Sequence, residues 1–197
     1  GSGINSPVSL IAVQPDGKVI IGGGFTMVKG LVRQGMARLN ADGSGDSRFN
    51  REAGANGGSS IVVQPDGKVL VGSSYWPNPG SMTNWGIFRL NSDGSPDTNF
   101  TASIESFSEG GGVYSIAIQS NGKVLIAGGF SAVNGTSRNG MARLNANGSL
   151  DNSFNPDAAV LCCPSSLALQ PDGKLLFIGV VTLNGVNRAG IARLNAN

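Results

Sequence analysis

Three observations predict an all-β chain folded as a β-propeller of four repeats. One turn recurs four times at intervals of about 50 residues, the signature of a repeat architecture. Each turn is flanked by short strands with apolar residues on both faces, and no segment carries a sustained 3.6-residue apolar period, so almost no helix is expected. Small antiparallel sheets that must bury both faces against neighbours are the building blocks of propeller blades. A β-trefoil would want three-fold repetition, and solenoid coils are shorter. The repeats run approximately over 1–50, 51–101, 102–155 and 156–197, in a single domain.

The recurring turn is Gln14-Pro15-Asp16-Gly17-Lys18, then Gln64 to Lys68, Gln119-Ser120-Asn121-Gly122-Lys123, and Gln170 to Lys174. Proline presets φ for the second position of a type I turn, Asp or Asn suits the third, and glycine takes the left-handed conformation that follows. The first strand of each repeat precedes this turn: Leu10–Val13, Ser60–Val63, Ser115–Ile118 and Ser166–Leu169. The second follows it: Val19–Ile21, Val69–Val71, Val124–Ile126 and Leu175–Ile178. Its unbroken apolar run suits a strand covered on both sides. Glycines then end or bend it, at Gly22 to Gly24, Gly72, Gly128-Gly129 and Gly179. A polar loop with Lys29-Gly30, Asn134-Gly135 or Asn184-Gly185 leads to a third strand, Met36–Asn40 and its copies. An Asp-Gly-type turn and a weak fourth strand complete the repeat, the latter at Asp46–Phe49, Asp97–Phe100 and Asp151–Phe154.

The fourth repeat stops at Asn197 before a fourth strand is due, and Gly1-Ser2-Gly3 matches Gly43-Ser44-Gly45. Two arrangements follow. The N-terminal segment supplies the outer strand of the last blade and closes a ring, or the repeats form an open arc that pairs with a second chain.

The segments Gln14 to Val19, Gly22 to Phe25, Gly140 to Asn145 and Gly148 to Asp151 resemble the delta-60 repeat family of bacterial β-propellers, in four copies over nearly the whole chain. That resemblance implies a secreted or cell-surface protein and supplies no catalytic residues.

Composition bounds the function. Charged residues make up 13% of the chain, its net charge is +2, and it has no histidine. Histidine-based catalysis and metal ligation are therefore excluded within this chain. Without a run of Lys or Arg it lacks the footprint for nucleic acid. No apolar run approaches the ~18 residues of a membrane span.

Several residue sets invite a functional reading. Arg38, Arg89, Arg143 and Arg193, with Arg33, Arg138 and Arg188, would form an anion-binding ring, or each would pair with a repeated Asp46, Asp97 or Asp151 and serve its own blade. The second reading is preferred, because a residue present in every blade usually serves the blade. Asn40, Asp42 and Asp46 place oxygens as calcium loops do, but with too few carboxylates for the six to eight oxygens calcium takes. They read first as hairpin turns, and no cofactor is expected.

Repeat 2 departs most, with Tyr75, Trp76, Pro77, Asn78 and Trp85 in one loop region. Aromatic platforms beside amides hold sugars and protein partners. Tyr75, Trp76, Asn78 and Trp85 are the candidate ligand site, and covering a blade edge is their structural alternative. Cys162-Cys163 forms a strained vicinal disulfide or remains two reduced thiols. Asn99, Asn134 and Asn147 match the glycosylation pattern but suit ordinary turns. Glu52, Glu105 and Glu109 are the only glutamates, and a hydrolase would need two carboxyls in register. The leading expectation is a non-catalytic extracellular scaffold for protein interaction or self-association. A carbohydrate-binding propeller is the alternative, and a glycoside hydrolase the third reading.

Overall fold

The computed structural model describes residues 3–49, 58–74, 86–106, 111–156, 163–183 and 186–195, with the backbone alone over 180–183 and 186–189. Among these residues there is no helix, and seventeen strands form small antiparallel sheets. Repeat 1 contributes β1 (Val8–Val13), β2 (Val19–Gly23), β3 (Met27–Val28), β4 (Leu31–Val32) and β5 (Met36–Leu39). Repeat 2 contributes β6 (Ser60–Val63), β7 (Val69–Gly72) and β8 (Ile87–Leu90). Repeat 3 has β9 (Ile104–Ser106), β10 (Val113–Ile118), β11 (Val124–Gly128), β12 (Phe130–Val133), β13 (Thr136–Ser137) and β14 (Met141–Leu144). Repeat 4 has β15 (Ser166–Leu169), β16 (Leu175–Leu183) and β17 (Val186–Leu194).

The main sheets are β1-β2-β5, β6-β7-β8, β10-β11-β14 and β15-β16-β17, each with the post-turn strand in the middle. The turn builds them as its chemistry requires. Gly17 sits at φ +80°, its amide donates to the Gln14 carbonyl, and the Lys18 amide donates to Asp16 Oδ1. Asn121 substitutes for the aspartate in the third copy, accepting the Lys123 amide at 3.1 Å.

Alternation along each strand divides its residues between two seams. From repeat 2, Val69, Val71, Phe88 and Leu90 pack with Ile20, Met36 and Phe49 of repeat 1. Leu70 and Ile87 point the other way, into a core with Val113, Ile116, Val124 and Ile126 of repeat 3. Leu125, Ala127 and Met141 then meet Leu167, Leu175 and Phe177 of repeat 4. First strands lie side by side, β1 by β6, β6 by β10 and β10 by β15, so they form the inner edge of the array.

The array is an open arc. Ile11 and Val13 on β1 are 70% and 65% exposed, and Ile178 and Ile191 in repeat 4 are 50% and 65% exposed. Repeat 4 therefore does not cover the first sheet. The N-terminal segment, for which the outer edge of the last blade was one expected place, pairs within repeat 1. Ile4 bridges Val28, the Asn5 amide donates to the Met27 carbonyl, and the Lys29 amide donates to the Gly3 carbonyl.

Three further features differ from the sequence reading. The weak fourth strand reduces to single bridges, Leu39 to Gly45, Leu90 to Pro96 and Leu144 to Leu150. Beyond each bridge Asp46, Asp97 or Asp151 bonds the amide two residues ahead, an Asx turn that competes with strand pairing. The polar loops are hairpin tips: Lys29-Gly30 and Asn134-Gly135 have positive φ at both residues, the type I′ geometry. These hairpins, β3-β4 and β12-β13, are extra elements, and β9 adds a third strand to the second of them. Finally, Gly179 does not end its strand. It pairs with Gly190 inside a continuous β16-β17 hairpin, whereas Gly23 and Gly128 close their strands and the chain re-pairs as β3 and β12.

Candidate functional site

The repeated arginines resolve into one construction, present in each of the first three repeats. The Arg38 Nε donates to Asp46 Oδ2 at 2.9 Å, and the Lys18 ammonium reaches the same oxygen at 3.0 Å. Arg89 and Lys68 hold Asp97 at 2.8 Å each, and Arg143 and Lys123 hold Asp151 at 2.7 and 2.6 Å. The Asx turn then carries Phe49, Phe100 or Phe154 back beneath its arginine, with guanidinium-to-ring distances of 4.8, 4.8 and 4.9 Å. Such stacking over a ring adds to the charge-assisted bonds.

These clips also cross the seams. Arg38 Nη1 donates to the Ser92 carbonyl of repeat 2, and Arg89 Nη1 to the Ala146 carbonyl of repeat 3 at 2.6 Å. Arg33 caps the turn from the other side through the Asp46 and Ser47 carbonyls, and Arg138 bonds Asn152 Oδ1. The Arg188 side chain lies outside the described residues. Arg33, Arg38, Arg89, Arg138 and Arg143 thus serve their blades, as the sequence reading preferred, while Arg193 is exposed.

Charge follows geometry. Burial pushes the Asp46 carboxyl up, but bonds from Lys18 and the Arg48 amide and the Arg38 charge outweigh it and hold it at about 2. The Lys68 hydrogen bond does most to hold Asp97 at about 2, against burial. For Asp151 burial is again outweighed, by Lys123, by the hydroxyl and amide of Ser153 and by Arg143, and the carboxyl lies well below the usual range. At the turn end, a cleft of about 470 Å³ between repeats 1 and 2 mixes Asp16, Asp66 and Asp93 with Lys18, Arg38 and Arg48. Its balanced charges give no field for an anion.

In the loop read against calcium, Asp42 Oδ1 accepts the Ser44 hydroxyl and amide, and Asp46 is committed to Lys18, Arg38 and Arg48. Asn134 and Asn147 likewise serve turns, Asn134 by bonding the Ser103 amide and the Gly148 carbonyl, Asn147 by accepting from Ser149.

Tyr75, Trp76, Asn78 and Trp85 lie outside the described residues, and so do Cys162, Glu52 and Glu109. Cys163 is half-buried at φ +34°, and Glu105 is exposed on β9. The roots of the aromatic loop are placed, however. Ser74 bridges Gly112 of repeat 3, and a side chain on Gly86 would run into Ile104 on β9. Ser74 and Gly86 therefore lie at the seam between repeats 2 and 3. Along that seam β8 walls a cleft of about 590 Å³ lined by Ile87, Phe100, Thr101, Ser103, Asn134 and Ser149. Sequence reasoning missed this cleft, because its walls come from segments 87–103 and 134–149 of two repeats.

Among solved structures, a protein of unknown function from Bacteroides caccae matches with 21% identity and a TM-score of 0.52, over 98% of this chain and 62% of that one. The extracellular domain of a protein described as a hybrid two component system from B. thetaiotaomicron matches with 13% identity and a TM-score of 0.54, over 96% of this chain. The chain spans 62% and 20% of the lengths of these two relatives. At such identities the likeness shows the fold. A gluconolactonase from Xanthomonas campestris aligns at 15% identity over 87% of this chain and 69% of that one, but its TM-score of 0.35 carries no argument about activity. No curated protein matches the chain. Among the described residues no helix is long and apolar enough to cross a membrane. A family model matches residues 14–49, 64–100, 119–154 and 170–197, more than half of the sequence and in register with the four repeats. The chain belongs to the β-propeller family of the domain of unknown function DUF5122.

Proposed function

We propose that this protein is a non-catalytic β-propeller scaffold working outside the cell, where it joins proteins through the faces of its end repeats. The observation that carries this reading is the exposure of Ile11 and Val13 at one end of the arc and of Ile178 and Ile191 at the other. Large aliphatics gathered on an accessible sheet face mark interaction surfaces. The resemblance to delta-60 repeats and the extracellular placement of one structural relative support the location. Expressed in its native host, the tagged chain is expected to migrate well above its 20.0 kDa mass in an extracellular or surface extract. Serine at all four positions should return it to monomer size without shifting Tm. Migration of the unaltered chain as a monomer in that extract would overturn the reading.

A second reading is favoured by the cleft beside β8. Its volume suits a small ligand, and its Thr101, Ser103, Asn134 and Ser149 offer hydroxyl and amide groups next to the roots of the aromatic loop. In this reading Tyr75, Trp76, Asn78 and Trp85 complete a glycan site, with no cofactor needed. Binding on a glycan array, lost in Trp76→Ala and Trp85→Ala, supports it; an array with no binding removes it.

A further inference from the structure

We infer that the cleft beside β8 takes the guanidinium of an arginine side chain supplied by a partner protein. The inference rests on the scaffold reading above and adds a docking point within the array, away from its end faces.

Two other repeats fill the equivalent place from their own sequence. In repeat 1 the buried Arg33 lies against the Asx turn, where its Nη2 donates to the Asp46 carbonyl at 3.3 Å and to the Ser47 carbonyl at 3.2 Å. In repeat 3 the buried Arg138 reaches the residue that matches Ser47, its Nη2 donating to Asn152 Oδ1 at 3.0 Å. Each arginine stands two residues before a glycine at positive φ that leads into the outer strand, Gly35 before β5 and Gly140 before β14. Gly86 leads into β8 in the same way, at φ +93°. Two residues before it the sequence has Asn84, which lies outside the described residues. Repeat 2 therefore has no arginine of its own at this position.

The receiving groups are built all the same. Asp97 and Thr98, the counterparts of Asp46 and Ser47, line the cleft of about 590 Å³ whose wall is β8. The Asx turn that aims their carbonyls is the one in repeat 1: the Asn99 amide bonds Asp97 Oδ1 at 3.0 Å, as the Arg48 amide bonds Asp46 Oδ1 at 3.0 Å. Among the described residues the Thr98 carbonyl has no donor. A guanidinium presents its N–H groups as a planar fork to neighbouring oxygens, which an ammonium does not. Ile87, Pro96 and Phe100 offer apolar surface along which the stem can lie. Arg89 and Lys68 do not bar a third cation. Arg33 bonds the Asp46 carbonyl while Arg38 and Lys18 hold the carboxylate of that same residue.

The test is an amide NMR titration of the purified, isotope-labelled chain with acetyl-Gly-Arg-Gly-amide and with its lysine and citrulline counterparts. The arginine peptide should shift the amides of Asp97 to Ser103 saturably, and the other two should bind at least about fivefold more weakly. Asn84→Arg supplies the guanidinium within the chain; it should raise Tm by about 2–4 °C and abolish the titration. Thr101→Trp crowds the cleft from an exposed position and should weaken the arginine peptide at least about fivefold with Tm unchanged. No shift at the cleft, equal binding of the three peptides, or undiminished binding by both variants would each overturn the inference. Assembly in the native extract that Asn84→Arg leaves unchanged overturns the partner's arginine while the scaffold reading stands. Peptide binding by a chain that stays monomeric in that extract overturns the scaffold reading, and with it the protein source of the arginine.

Discussion

Replacing Asp97 with alanine is expected to cost about 3–5 kcal/mol, read from the urea midpoint and slope, because Arg89 then stays buried without its counter-charge. Lys68, more exposed, can turn to water. Arg89 cannot, since it is stacked on Phe100 and bonded to Ala146 across the seam with repeat 3. The loss therefore reaches the packing of the next repeat. The same carboxylates set the response to acid. Asp46 and Asp97 have folded-state pKa values lowered from 3.8 to about 2. A depressed pKa means that the unfolded chain binds more protons at moderately acid pH, so its contribution is present above pH about 4 and is lost as pH falls toward 2. Wild-type stability should fall across that window, and Asp97→Ala should lose less over it. A variant within about 1 kcal/mol of wild type at neutral pH, the worth of an exposed ion pair, would show that the clip carries little.

Gly128→Ala is the second large effect, expected at about 3 kcal/mol. A Cβ there would stand 1.9 Å from the Gly112 carbonyl oxygen and 2.9 Å from the Tyr114 amide nitrogen. Tyr114 sits at the bulge of the β10-β11 pairing, and Gly112, just before β10, is held by Gly129, whose amide donates to that same carbonyl at 2.9 Å. Neither atom can withdraw without opening the sheet. Gly122→Ala is the contrast. Its Cβ meets nothing within 4 Å, so only the left-handed conformation at φ +80° is penalised, by about 1–2 kcal/mol. Equal losses for the two variants in thermal or urea melts would contradict the steric explanation.

The turns and the three main strands of each repeat were legible because their signals are local. Pro-Asp-Gly fixes a backbone conformation, and two-residue alternation assigns each side chain to a seam. The pairing of Arg38 with Asp46 was legible too, since both recur in each of the first three repeats. The Asx turns were not. Asp46 to Phe49 ends on an aromatic like a strand, and only the tertiary contact of Phe49 beneath Arg38 shows why the chain turns inward. The outer hairpins were hidden by brevity: Asn134-Gly135 is a strong hairpin signal, but β13 holds only Thr136 and Ser137. The unbroken β16-β17 hairpin escaped because Gly179 resembles the glycines that interrupt other repeats. At the candidate site, the aromatic cluster was visible as composition. The cleft beside it needed two repeats brought together, which no local pattern specifies.

Amide-resolved hydrogen exchange tests most directly whether the repeats are sheets stacked face to face. Strands covered on both sides open only with the whole array. Val69–Gly72 and Val124–Gly128 should then exchange slowest of all and lose protection together as urea is added. Exchange of either strand at the rate of the hairpin tips would contradict the stacked arrangement.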